Sequence, residues 1–149
     1  MTKIRTARVE DAHALAALTT QLGYPVAVDA MRRRLTSVLA SGDNVVLVSC
    51  DEHDVPVGWI HVGERHLLET DMYCEIMGLV VDDAYRRQGR AARLVAAGEQ
   101  WAMERGHRQI TVRSNIVRAE SHPFYEKADY SRVKTQHVYR KSLGVPDAY

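Results

Sequence analysis

The sequence predicts an α/β (α+β) fold built on one mixed sheet, and three observations lead there. Short β-branched segments run together early in the chain, while longer helical patterns interrupt them later. The segment Glu75–Val81 is apolar on both alternating faces, as a strand in the middle of a covered sheet must be. The chain has 149 residues, 46% of them hydrophobic, which suits one domain, residues 1–149, with a sizeable core.

Taken in order, Thr2–Arg8 alternates and reads as a strand. Val9–Leu22 carries Ala12, Leu15, Ala16, Leu18 and Leu22 near helical spacing, with Glu10 and Asp11 favouring its N-terminus. Gly23-Tyr24-Pro25 breaks that helix, and Asp29 is the expected N-cap of a second one reaching Ala40. Val45–Cys50 and Val55–Gly63 form a hairpin around Asp51–Asp54. His66–Asp71 is a polar loop. In the strand Glu75–Val81, period two places Ile76, Gly78 and Val80 on one face and Glu75 with Met77 and Leu79 on the other. After the Arg-rich connection Asp82–Gln88, Gly89–Arg105 is a helix with Ala91, Leu94, Val95, Gly98, Trp101 and Ala102 on one stripe, closed by Gly106. Gln109–Arg113 is a strand, Ala119–Lys127 a short helix, and Tyr130–Leu143 a final hairpin.

Composition narrows the function. A formal net charge of +1 gives no general attraction to nucleic acid or to a lipid surface. No apolar run is long enough to span a bilayer, and no signal segment is evident, so a cytoplasmic location is expected. Cys50 and Cys74 read as reduced, buried thiols. The histidines show no metal-ligand spacing, so no metal is expected.

The chemistry concentrates where the two-faced strand ends. A short basic loop, Gly89 and a helix follow it. The first helical turn presents N–H groups without intrahelical acceptors, and the macrodipole makes that end positive. A diphosphate fits there. Gly89 permits positive φ or close backbone approach, Ala91 and Ala92 leave no bulk, and Arg86, Arg87 and Arg90 add charge. The alternative is a solvated basic loop. Neither G-x-x-x-x-G-K-[ST] nor G-x-G-x-x-G is present, which disfavours a nucleotide kinase or a Rossmann dehydrogenase.

Arg86-x-x-Gly89-x-Ala91 after an apolar strand resembles the [Q/R]-x-x-G-x-[G/A] signature of the GNAT-type N-acetyltransferases. Ser114-Asn115 and Phe124-Tyr125-Glu126-Lys127-Ala128-Asp129-Tyr130 resemble two further segments of that family, in the right order. Asp129 stands where the family prefers glycine, and Asp tolerates the left-handed conformation better than most residues. Pro123 fits if it lies in the first turn of its helix.

The resemblance implies a mostly antiparallel sheet of about six to seven strands flanked by about four helices, with a splayed strand pair holding coenzyme A. It implies acetyl-CoA as co-substrate, with pantetheine along Leu79, Val80 and Val81, pyrophosphate on the amides of Arg87, Gln88, Gly89, Arg90, Ala91 and Ala92, and Asn115 against the cofactor arm. Tyr125 becomes the candidate acid; the alternative is a core aromatic packed on Phe124. Glu75 becomes the candidate base; the alternative is a strand-edge carboxylate in solvent or a salt bridge. His61 and His66 are further candidates for the acceptor pocket, the alternative being surface or core placement, and Glu69, Asp71 and Glu75 for attracting a cationic amine, the alternative being a solvated loop.

The expected reaction is N-acetylation of a primary amine, with a small molecule as acceptor. Gln21-Leu22-Gly23-Tyr24-Pro25 resembles small-molecule members of the family, aminoglycoside-type ones included. A protein N-terminus or lysine is the alternative acceptor, and a non-catalytic acyl-CoA sensor is the alternative class. A homodimer through Tyr130–Leu143 is also expected.

Overall fold

The computed structural model describes residues 3–113 and 121–144. The chain divides into two compact units, Met1–Arg113 and Ser114–Tyr149. The first unit holds five strands in the order β1-β2-β3-β4-β5. These are β1 (Lys3–Thr6), β2 (Asn44–Cys50), β3 (Pro56–Arg65), β4 (Tyr73–Val81) and β5 (Ile110–Val112). The first three pairings are antiparallel and the last is parallel, so the sheet is mixed as expected.

Helix α1 (Ala12–Leu22) follows a 3-10 turn, Val9–Asp11. Gly23 ends α1 at φ 111°, a left-handed conformation that suits glycine. Helix α2 (Val28–Ala40) begins two residues earlier than expected; Ala27 is its N-cap, and Asp29 lies inside the first turn, paired with Arg32 at 2.9 Å. Carboxylates favour that turn whether or not they cap it. Ala12, Leu15, Ala16, Met31 and Leu35 of these helices pack with Val46, Val48 and Cys50, and Trp59 packs against the cluster. Helix α3 (Arg90–Glu104) covers the other face, where Gly98 lets it close on the sheet. A Cβ there would stand 2.9 Å from Val62 Cγ2 and 3.2 Å from Ile60 Cδ1. Glu64 fastens the end of β3 to the end of α3, accepting from Arg105 at 2.7 Å and from His107 Nε2 at 2.6 Å. Cys50 and Cys74 are free and buried, and burial pushes the Cys74 thiol up to about 11.

Register corrects the expected face assignment in β4. His61 lies across from Gly78 and Val62 across from Ile76, so Met77 is an extra residue opposite the irregularity between His61 and Val62. Cross-strand partners share a face. Glu75, opposite Gly63, therefore shares its face with Gly78 and Val80 rather than with Leu79, and Ile76 shares its face with Leu79 and Val81. A bulge of this kind re-aims every side chain beyond it, which strict alternation cannot anticipate.

In the second unit, helix α4 (Ser121–Lys127) places Pro123 in its first turn. Asp129 adopts φ 70°, the left-handed turn the sequence required of it. The expected hairpin over Tyr130–Leu143 is corrected: no strand occurs among the described residues after Asp129, and the sheet has five strands rather than six to seven. Val133, Val138, Tyr139 and Leu143 are each more than four-fifths exposed. β-forming residues specify a strand only where packing and a partner edge complete it. Among the described residues no helix is long and apolar enough to cross a membrane.

Candidate active site

Strands β4 and β5 touch only at their beginnings. Cys74, Glu75 and Ile76 pair with Ile110, Thr111 and Val112, and β5 then ends. From Met77 to Val81 the β4 backbone has no β5 partner, while its other edge is paired to β3 from Gly78 to Val81. Among the described residues this leaves a wedge beside Leu79, Val80 and Val81, able to accept an extended chain as one more strand would pair.

The wedge leads to the start of α3. A 3-10 turn, Asp83–Tyr85, is capped by the Asp82 side chain, which accepts from the Ala84 amide at 3.0 Å. Gln21 Oε1 accepts from the Asp83 amide at 2.8 Å and ties the turn to α1. Arg87 and Gly89 then take positive φ, 64° and 74°. The first amide of α3 with a helical acceptor is Arg93, bonded to Gly89 O at 3.0 Å. The amides from Arg87 to Ala92 thus precede the helical ladder and have no backbone acceptor among the described residues. The loop geometry fits a pyrophosphate: an exposed glycine at its apex, alanines behind it, and a helix dipole pointing out.

The arginines divide their work in a way the sequence did not show. Arg90 turns away to Ser49 Oγ at 3.0 Å and Cys50 O at 3.2 Å, with its guanidinium over the Tyr85 ring at 5.0 Å. It fastens the first turn of α3 to β2. Arg86 pairs with Asp83 at 2.8 Å. Arg93, not singled out from the sequence, donates to Gln88 O at 2.6 Å, and its guanidinium lies nearest to where a Gly89 side chain would be. Only its place one turn after Gly89 could have signalled this.

Glu75 is buried, 4% exposed, and held by cations. Arg113 Nε donates to its Oε1 at 3.2 Å, and Arg65 lies 3.6 Å from its Oε2. Tyr73 OH also reaches Oε1 at 3.4 Å. His61 Nε2 meets Asn44 Oδ1 at 2.8 Å, and burial lowers its pKa, keeping the ring neutral near pH 7. His66 sits in an outer pair with Asp43 at 3.5 Å, and Glu69 and Asp71 lie on an exposed loop. In the second unit, Tyr125 packs edge-on against Phe124 and Tyr130, with ring centroids 5.1 and 5.7 Å away. Burial raises its phenol above the usual tyrosine range. Asn115 and Ser114 lie outside the described residues, as does the expected helix start at Ala119. Among the described residues no cluster of His, Cys, Asp or Glu could hold a metal ion.

A family model described as the acetyltransferase (GNAT) family matches residues 11–130. The chain is 24% identical over 132 residues to the aminoglycoside N(6')-acetyltransferase type 1 of Serratia marcescens, covering 86% of this chain and 90% of that protein. Its fold is similar to that of the aminoglycoside 6'-N-acetyltransferase AAC(6')-Ih of Acinetobacter baumannii, with a TM-score of 0.83 at 17% identity, covering 97% and 100% of the two chains. It is equally similar to AAC(6')-Iy in complex with the bisubstrate analogue CoA-S-monomethyl-acetylneamine, with a TM-score of 0.83 at 18% identity, covering 96% and 99%.

Proposed function

This chain belongs to the acetyltransferase (GNAT) family, an acetyl-CoA-dependent N-acyltransferase, and from that premise we propose that it moves acetyl from acetyl-CoA to the primary amine of a small molecule. The observation that carries the reading is the wedge between β4 and β5, which leads to the glycine-capped start of α3. A long pantetheine arm ending in a pyrophosphate needs that pair of features, extended backbone pairing followed by a cluster of free amides. The aminoglycoside acetyltransferases among its relatives support a small-molecule acceptor over a protein N-terminus or lysine.

When bound, acetyl-CoA supplies an activated acyl carbon as a thioester. In the proposed arrangement, the amides of Arg87 to Ala92 with Arg86 hold the pyrophosphate, the edge of Leu79, Val80 and Val81 holds pantetheine, and Asn115 steadies the arm. An alkylamine has a pKa near ~10.4, so the chain must remove a proton before attack. Glu75 takes it, through a water, with Arg65 and Arg113 fixing the carboxylate. The C–N bond then forms as the C–S bond breaks; Tyr125 gives its phenolic proton to the departing sulfur, and the acylated nitrogen loses its second proton to solvent, from which the phenol is restored. An amide and free coenzyme A result. Each proton transfer contributes roughly 10²–10⁴ in rate. The same proposal includes one catalytic domain over residues 1–149, a homodimer formed through the C-terminal segment, and a cytoplasmic location.

The test is release of free thiol from acetyl-CoA across a panel of amines, with product mass read in parallel. An amine-dependent thiol signal with a product heavier by one acetyl group is expected. Acetyl-CoA binding without thiol release for any amine would favour the sensor.

A further inference from the structure

The buried carboxylate near the start of β4 gathers more positive charge than it cancels. Two guanidiniums, those of Arg65 and Arg113, share Glu75. Two positive charges against one negative leave the group at +1. Pairing with Glu75 does not bury the arginines: the Glu75 side chain is 5% exposed, theirs 40% and 50%. Arg65 stands 3.6 Å from Oε2, beyond hydrogen-bond length, and donates to no side-chain acceptor among the described residues. Arg113 is held more closely, donating to Glu75 Oε1 at 3.2 Å and to Tyr73 OH at 3.3 Å. Glu69 and Asp71, on the exposed loop before β4, form no ion pair with either arginine.

Register puts this group at the mouth of the wedge. The last β4–β5 pair is Ile76 with Val112, and Arg113 is the next residue, where the two strands part. Tyr73 lies across from Arg65, Glu75 across from Gly63 and Gly78 across from His61, so these residues share one face of the sheet. The same face holds a cavity of about 540 Å³ between α1, α2 and the sheet, lined in part by Trp59 and His61. With the thioester in the wedge, an amine that approaches Glu75 from this face has both guanidiniums beside it.

We propose that Arg65 and Arg113 bind a carboxylate of the acceptor, and that the acceptor is a small amino acid whose carboxylate lies only a few bonds from the amine that is acetylated. This rests on the acyltransferase reading above and names the substrate class of the same site. Glu75 sets the short spacing. The amine reaches its carboxylate through a water, and the acceptor's own carboxylate reaches guanidiniums that sit against Oε1 and Oε2 of that same group. The planar N–H fork of arginine matches a carboxylate. Guanidiniums already placed by a buried partner lose less freedom on binding. A polycationic aminosugar meets the reverse conditions, because each ammonium beyond the one attacked approaches a group of net positive charge. The acceptor class therefore differs from the one named for the relatives.

The test uses matched pairs, L-leucine with L-leucinamide and 3-aminobutanoate with 3-aminobutanamide, and neamine as the polycation. Transfer is read by thiol release from acetyl-CoA, and binding by calorimetry with coenzyme A present. In at least one pair the carboxylate should exceed its amide in kcat/KM by at least about 10-fold, as a charge-assisted hydrogen bond implies, and neamine should not react. Arg65→Gln and Arg113→Gln should each bring that ratio towards one, and Arg65→Lys should keep more of it than Arg65→Gln does. Glu75→Gln should slow both members of a pair and preserve the ratio. If the arginines serve only to steady Glu75, their variants will slow both members alike and leave the ratio unchanged, which would overturn the proposal. Faster reaction of neamine or of the amides would overturn it with transfer itself intact, and so would no binding and no release for either carboxylate. Calorimetric binding of a carboxylate that Arg65→Gln abolishes, with no thiol release from any amine, would keep the site and remove the acyltransferase reading.

Discussion

The Trp59 ring occupies the space that a side chain at Gly78 would need: a Cβ there would stand 2.7 Å from Trp59 Cη2 and 2.8 Å from Cζ3. The glycine thus lets β4 support the indole at the edge of the cavity. Gly78→Ala should displace that ring, at a cost of roughly 1–3 kcal/mol in stability. Thermal denaturation should show the loss, and the amine KM should rise while acetyl-CoA affinity stays within about twofold, because the amides after Arg86 are untouched. Unchanged stability and KM would mean that the ring is not held by this contact.

Gly89 has a different reason to be glycine. Its nearest neighbour for a Cβ is the end of Arg93 at 3.4 Å, an ordinary contact, so space is not the obstacle. The obstacle is φ 74°, where a β-branched residue is strained. Gly89→Val should weaken acetyl-CoA binding at least about 10-fold by calorimetry, since relief of strain would turn the first amides of α3 away from the anion. Wild-type affinity in a folded variant would remove the cradle.

Much of this site was legible in the sequence because backbone chemistry writes it plainly. The sequence placed a glycine that needs positive φ before an amphipathic stripe and after a doubly apolar strand, and Gly89 has φ 74°; Asp129 at φ 70° shows that a turn requirement survives without glycine. Side-chain commitments were not legible. Nothing local to Arg90 announces that it will bind Ser49 and Cys50, forty residues away in the chain, nor that Glu75 will find Arg65 and Arg113. The bulge at Met77 was invisible to a period-two reading, because an extra residue leaves the apolar composition of β4 unchanged. The C-terminal segment was misread as a hairpin because β-forming side chains describe a compatible surface and not a partner.

The catalytic assignments separate in kinetics. Tyr125→Phe should lower kcat by roughly 10- to 1,000-fold with little change in acetyl-CoA affinity, as the phenol matters mainly when charge develops on sulfur. Glu75→Gln should remove or shift the acidic limb of the pH–rate profile. A retained limb would send the search for a base elsewhere, with His61 and His66 the next residues to test. A kcat near wild type for Tyr125→Phe would leave the thiolate to depart unaided.

Acid stability should depend on Glu64. The hydrogen bond from Arg105, then that from His107, holds its carboxyl below the ordinary 4.5. A depressed carboxyl contributes stability above its unfolded value, and that contribution fades as pH falls through the folded value. Glu64→Gln should therefore lower Tm at pH 7 and approach wild type near pH 3, if both remain folded there. A Tm difference independent of pH between 7 and 3 would show that the charge is not what stabilises this contact.

The most direct measurement is the calorimetric affinity of the unmodified protein for coenzyme A and for pantetheine, which shares the arm and thiol but lacks the pyrophosphate and nucleotide. With the anion held on the amides that open α3, at least two charge-assisted hydrogen bonds distinguish the ligands, each worth about 1.5–3 kcal/mol. Coenzyme A should bind on the order of 100-fold more tightly, and acetyl-CoA likewise. Equal affinities for coenzyme A and pantetheine would contradict a pyrophosphate site at Gly89.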